Sequence, residues 1–121
     1  MRLGFFALLF ASATLLVSAT PSPAYDYGPH RAAHASHRAQ SDQHMQRAEA
    51  HINHADFHDN LAIIAANNGD HRGAARHSSQ VAHHLRQAER HMNIAQIHDN
   101  HADWHASQIP PGLRRSIDEL D

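Results

Sequence analysis

The chain has 121 residues, with ten Lys and Arg, twelve Asp and Glu, fifteen His and no Cys. This length predicts a single domain. The absence of Cys excludes a disulfide framework, thiolate metal ligands, a Cys nucleophile and haem attachment through a CxxCH motif. The formal charge of −2 with neutral His argues against a permanently basic surface for nucleic acid. About one residue in eight is histidine, so metal ions, protons and haem are the ligands to consider first.

The first 24 residues have the order of a secretory signal peptide. A basic start precedes an apolar run over 3–17 and small residues over 18–24. We expect cleavage after Ala24, with Ala19 as the alternative. An uncleaved anchor is the competing interpretation, but the run is shorter than the ~20 residues that span a bilayer. The sequence therefore predicts a secreted or periplasmic protein with no membrane span after cleavage.

Histidine dominates the charge of the chain that would remain after cleavage. Nine Arg against twelve acidic residues give −3 with neutral His, and protonation of all fifteen His gives +12. This change falls around pH 6 to 7, where unperturbed imidazole titrates. A pH-responsive structure is therefore one functional class to weigh.

Ten of the fifteen histidines repeat every seven residues in two columns. The first column is His30, His37, His44, His51 and His58, and the second is His77, His84, His91, His98 and His105. A seven-residue period is typical of packed helices. We assign the residue after each His to heptad position a and a recurrent Ala to d, which places His at g. Acidic residues recur at e, and the Ala residues at d predict a close approach of two helices.

The breaks in this pattern predict an all-α antiparallel two-helix hairpin with the character of a coiled coil. No Pro occurs between residues 30 and 109, whereas 67–70 reads Asn-Asn-Gly-Asp, a typical helix stop and turn. We expect helices over about 30–67 and 71–107 within a hairpin unit over 30–109. Residues 25–29 are assigned as a linker and 110–121 as a C-terminal tail, either a short helix or a frayed end.

A hairpin centred near residue 67.5 places residue i level with residue 135 − i. All five pairs of columnar histidines satisfy this relation, and so does the pair His34 and His101. The g positions of antiparallel helices flank the same side of the interface. We therefore expect the histidines to face one another along one edge, with the acidic e residues along the opposite edge.

The segment 51–58 is repeated at 98–105, with six of eight residues identical. Each copy contains H-x-x-H-x-x-x-H, a spacing that puts three imidazoles on one helix face. Such clusters fit a site for Zn, Ni, Cu(II) or Co, which imidazole ligands suit. One predicted cluster combines His30, His34 and His37 with His98, His101 and His105. A second combines His51, His54 and His58 with His77 and His84. Asp99 is a candidate carboxylate ligand or a partner that orients an imidazole.

A second apolar stripe lies outside the a and d positions. It contains Phe57, Leu61, Ile64, Ile94, Ile97 and Trp104. A two-helix hairpin cannot bury both stripes, so we expect a homodimer that forms a four-helix bundle. The alternative is that this stripe is the main core and the Ala-containing seam is the oligomer face.

These features predict an exported His-rich protein that binds or buffers divalent transition metal. The alternative is a structural or pH-responsive envelope protein with a solvated His face and no physiological metal. Catalysis is not expected, because no HExxH motif or nucleophile motif occurs. Haem bound by two histidines is disfavoured by the small number of bulky apolar residues. Nucleic acid is not an expected partner at neutral pH.

Overall fold

A computed structural model describes residues 25–118, so the predicted signal peptide lies outside the described residues. The chain forms α1 (Gly28–Asn67), α2 (His71–Ser107) and α3 (Pro111–Asp118). The two long helices pack against each other as the predicted antiparallel hairpin. None of the helices in this described region is long and apolar enough to cross a membrane.

The start of α1 lies two residues before the predicted start, inside the segment assigned as a linker. The Gly28 backbone N–H donates to the Asp26 carboxylate over 2.8 Å. Pro29 is tolerated in the first turn, since the first N–H groups of a helix have no partner within the helix. The helix therefore begins at the Asp-Tyr-Gly-Pro segment and not at the first columnar histidine.

The turn between α1 and α2 is tight and follows the predicted break. Gly69 has a φ of 76°, a left-handed conformation that glycine adopts without a steric cost. The Asp70 N–H donates to the Ala65 carbonyl over 2.8 Å, which closes the end of α1. The Asp70 carboxylate then accepts the Gly73 N–H over 2.8 Å and caps α2.

Replacing the capping residue, Asp70→Ala, should lower the free energy of unfolding by about 1 kcal/mol, since the Gly73 N–H loses its acceptor. Urea unfolding followed by circular dichroism measures this change. Asp56→Ala, an exposed change in the middle of α1, is the matched control and should have a smaller effect. Equal losses in the two variants would contradict the capping role.

The interface between α1 and α2 is built from small side chains at d. The buried residues of this kind are Ser41, Ala48, Ala55 and Ala62 in α1, and Ala88, Ala95 and Ala102 in α2. His34 occupies the first d position and is also buried. Small side chains let the two backbones approach closely, which brings the flanking g residues of both helices within reach of each other.

The a positions are not buried, which corrects the expectation of an a/d core. Met45, Ile52, Leu85 and Met92 are between 38% and 49% exposed. Because Ala at d lets the helices meet along a single line, the a side chains lie at the edge of the interface. There each a residue faces the a residue at the same height on the other helix. Arg38 and Asp99, which both occupy a, form an ion pair of 2.8 Å.

The second apolar stripe is exposed in the hairpin, so it is not the core of the single chain. Phe57, Ile64, Ile97 and Trp104 are each between 53% and 59% exposed. The alternative assignment of the interface is therefore wrong for the α1–α2 contact. The four-helix bundle and the homodimer stay predictions that a measurement of mass in solution tests.

The C-terminal tail contains α3 and folds back onto the open end of the hairpin. Ile109, directly after α2, is fully buried. Arg114 donates through Nε to the Ile109 carbonyl over 2.6 Å, and Arg31 of α1 donates to the Leu113 carbonyl over 2.9 Å. These contacts join the tail to the beginning of α1 and to the segment that follows α2.

Candidate metal centre

The histidines of the two columns pair exactly one to one across the interface. The pairs are His30 with His105, His37 with His98, His44 with His91, His51 with His84, and His58 with His77. In every pair the two Nδ1 atoms lie 3.0–3.2 Å apart. The predicted register, in which paired residue numbers add to 135, is therefore confirmed for all five pairs. We call these ten residues the histidine ladder and each pair a rung.

Each rung is a hydrogen bond between two imidazole rings. One imidazole donates its Nδ1–H, and the other accepts at an unprotonated Nδ1. Protonation of the accepting nitrogen would leave two N–H donors facing each other. Each rung therefore needs one ring with an unprotonated Nδ1, and an unprotonated ring nitrogen is also what binds a metal ion.

Successive rungs are linked by stacked rings. His37 lies against His105, His44 against His98, His51 against His91 and His58 against His84, with centroids 5.6–5.7 Å apart and interplanar angles of 13–19°. The residue numbers of each stacked pair add to 142, which is seven more than the sum of 135 for each rung. Hydrogen-bonded rungs and stacked contacts thus alternate, and all ten imidazoles form one continuous array along the hairpin.

Burial and mutual repulsion lower the pKa of three ladder histidines. For His37 the causes after desolvation are His101, His98 and His105. For His84 they are His54, His51, His83 and His58. Desolvation is also the largest cause that lowers the pKa of His44, followed by the charges of Arg47, His91 and His98. Each of these rings is therefore held in the neutral form at pH 7.

One trio in the described part of the chain has the spacing of a metal site. His51, His54 and His84 each offer a ring nitrogen, and these nitrogens lie within 4.8 Å of one another. His51 and His84 form a rung with an Nδ1–Nδ1 distance of 3.2 Å. The exposed His54 lies edge-on to His84, with ring centroids 5.2 Å apart. All three belong to the second of the two predicted clusters.

The other two members of that cluster extend the ladder toward the turn. His58 stacks on His84 and forms the next rung with His77, at 3.2 Å. His58 is therefore adjacent to the trio, whereas His77 contacts it only through His58. Solvent or His58 is available to complete the coordination of an ion held by the trio.

The first predicted cluster is divided between the ladder and two flanking positions. His30, His37, His98 and His105 form two rungs at the open end. His101 is exposed and its ring lies edge-on to His37, at 5.2 Å. No hydrogen bond or ring contact joins His34 to His101 within residues 25–118, although the two are level. His34 is buried at d within the interface, whereas His101 is exposed at c beside the ladder, so their equal height does not bring them together.

Asp99 is placed beside an arginine. Its carboxylate accepts from Arg38 over 2.8 Å, and the same guanidinium donates to Asp103 over 2.9 Å. The predicted ligand role of Asp99 therefore requires competition with this ion pair. In the predicted register, the numbers of facing residues at a add to 137. Arg38 and Asp99 satisfy this relation, so the sequence contained the signal for their ion pair.

The rung of His44 and His91 lies outside both predicted metal clusters, although both residues stand in the heptad columns. Its Nδ1–Nδ1 distance is 3.0 Å. Neighbours three or four residues away on the same helix supply a third imidazole to the other sites, and this rung lacks such a His. It is therefore a two-nitrogen pair in the middle of the ladder.

Comparisons with protein families, with curated proteins and with solved structures found no match to this chain. The site itself must therefore carry the functional conclusion.

Proposed function

We propose that this protein binds and buffers divalent transition metal ions through the histidine ladder. The observation that carries the proposal is the trio His51, His54 and His84, whose ring nitrogens lie within 4.8 Å of one another. The proposed role is binding, without a catalysed reaction. The signal-peptide pattern of the first 24 residues supports a place of action outside the cytoplasm.

The Nδ1–Nδ1 distance in a rung is close to the distance between two nitrogens bound to the same metal ion. Two nitrogens bound at about 2.0–2.1 Å to a tetrahedral zinc ion are about 3.3–3.4 Å apart. The Nδ1 atoms of His51 and His84 are already 3.2 Å apart. An ion bound by both nitrogens would take the place of the hydrogen bond of the rung, with the proton of the donor ring moved from Nδ1 to Nε2. Rotation of the exposed His54 ring would supply the third nitrogen. Binding weakens on acidification, because a protonated imidazole cannot coordinate a metal ion.

Imidazole ligands without thiolates favour Zn, Ni, Cu(II) or Co. The remaining rungs add pairs of nitrogens that hold an ion more weakly than a trio does, because a zinc site prefers three or four protein ligands or ligands plus water. A chain with strong sites and weaker reserve pairs suits a buffer, which releases ions as their free concentration falls.

Zinc titration at pH 7.5 should move the imidazole nitrogen NMR signals of His51, His54 and His84 together, at the first equivalents of metal. His54→Ala should weaken binding at this trio by more than the 10–100-fold typical of losing an outer-shell partner. His71→Ala removes an exposed histidine outside the ladder and should leave binding unchanged. Signals of all histidines shifting gradually and in parallel, in both variants, would refute a built site.

The ladder also supports a second candidate function, a pH-responsive helical protein of the cell envelope. Five rungs in one array, each with an accepting imidazole nitrogen, are sensitive to protons whether or not a metal binds. The two functions differ in the metal-free state. An acid transition that persists in a chelator, together with no built zinc site, would favour the pH-responsive function.

A further inference from the structure

The two copies of the repeated segment lie on opposite helices. Residues 51–58 belong to α1 and residues 98–105 to α2. The antiparallel register places the first copy opposite 77–84 and the second opposite 30–37. Both opposing stretches carry ladder histidines at equivalent places, so each copy meets a matching partner across the interface.

The geometry of the two resulting trios agrees closely. The rung of His98 and His37 has an Nδ1–Nδ1 distance of 3.2 Å, equal to that of His51 and His84. His101 lies edge-on to His37 with a centroid distance of 5.2 Å and an angle of 68°. The corresponding values for His54 and His84 are 5.2 Å and 69°.

The surroundings of the two trios also correspond. In each, the two rung histidines are half-buried and the third histidine is exposed. His105 stacks on His37 at 5.6 Å, as His58 does on His84. A ladder ring that can complete the coordination is therefore present beside both trios.

From this correspondence we infer that His37, His98 and His101 form a second binding site for a divalent transition metal ion. The inference rests on the proposed function for its ligand class, and the site itself is distinct. The nitrogens of this trio do not meet the 4.8 Å spacing of the first. Ion binding therefore requires rotation of the His101 ring toward the rung, which its exposed position permits.

The arginine level with the second trio is held by carboxylates. Arg38, which follows His37, pairs with Asp99 at 2.8 Å and with Asp103 at 2.9 Å. Its positive charge is therefore compensated and does not oppose a cation at the neighbouring trio.

The two sites should fill independently. Their rungs are fourteen residues apart along each helix, a distance of about 21 Å at 1.5 Å per residue. This separation exceeds the Debye length of about 8 Å at physiological ionic strength. Repulsion between two bound ions is therefore weak, and the hairpin should hold two ions of similar affinity.

Native mass spectrometry of the untagged chain titrated with zinc tests this inference. The wild type should saturate at two ions, His101→Ala and His54→Ala at one ion each, and the double variant at none with comparable affinity. His71→Ala is the control and should retain two ions. Since both substituted residues are exposed, circular dichroism should show unchanged helix content in every variant.

The outcomes separate the second site from the proposed function. Saturation of the wild type and His101→Ala at one ion, with none in His54→Ala, would overturn the second site alone. No saturable binding in the wild type would overturn both. Loading with many ions that no single substitution reduces would also overturn both, because the histidines would then act as a diffuse surface.

Discussion

Acidification below pH 6.5 should unfold the metal-free hairpin. The pKa values of His37, His44 and His84 are lowered by desolvation and then by neighbouring positive charge. A base with a lower pKa in the folded state binds fewer protons there than in the unfolded chain. The stability that these rings contribute is therefore complete above the unfolded pKa of about 6.5 and is lost as the pH falls through the folded pKa values.

The measurement is helix content by circular dichroism between pH 7.5 and 5, in the presence of a chelator. We expect most of the helical signal to be lost over this range, because the desolvated rings of His37, His44 and His84 must gain a charge within the packed ladder. Replacing the central rung by His44→Gln and His91→Gln should shift the transition to lower pH. His71→Gln, outside the ladder, should leave it unchanged. Full helix content at pH 5 in the wild type would show that the ladder does not make the hairpin sensitive to acid.

Enlarging a d residue should be the most damaging single substitution. Ala48 is 1% exposed, and Ala48→Leu inserts three carbon atoms into the buried interface between α1 and α2. Overpacking of this kind costs about 1–3 kcal/mol. The loss falls on a hairpin whose core is mostly Ala, so a large part of its stability should disappear.

Ala50→Leu is the matched control, because Ala50 lies two residues away on the exposed side of the same helix. Urea unfolding should show a large loss for Ala48→Leu and almost none for Ala50→Leu. Separation of the helices should also weaken zinc binding in the first variant only. Equal stability of the two variants would show that the d positions are not the line of contact.

The register of the hairpin was predictable because two heptad columns and a short turn leave few alternatives. Once His58 is level with His77, the fixed period brings every other rung into place. The same reasoning failed for His34 and His101, since equal height does not place residues on the same side. The burial of the a residues was also wrong, because Ala at d draws the helices together and leaves Met45 and Leu85 at the edge.

The details of the metal site lay beyond the sequence pattern. Spacing placed His51 and His54 on one face, but whether their rings meet His84 depends on rotamers and on how closely the helices approach. The preference of Asp99 for Arg38 over an imidazole has the same origin. The exposed apolar stripe was predictable as a pattern, and the homodimer expected to cover it stays a prediction.

X-ray absorption spectroscopy at the zinc edge shows directly whether histidine rings bind the ion. The sample is the metal-free protein loaded with one equivalent of zinc at pH 7.5. We expect at least three imidazole nitrogens at about 2.0–2.1 Å, with the multiple-scattering pattern of histidine rings. His54→Ala and His101→Ala combined should lower this number. A first shell of water oxygens with one imidazole or none would contradict a site built from the ladder.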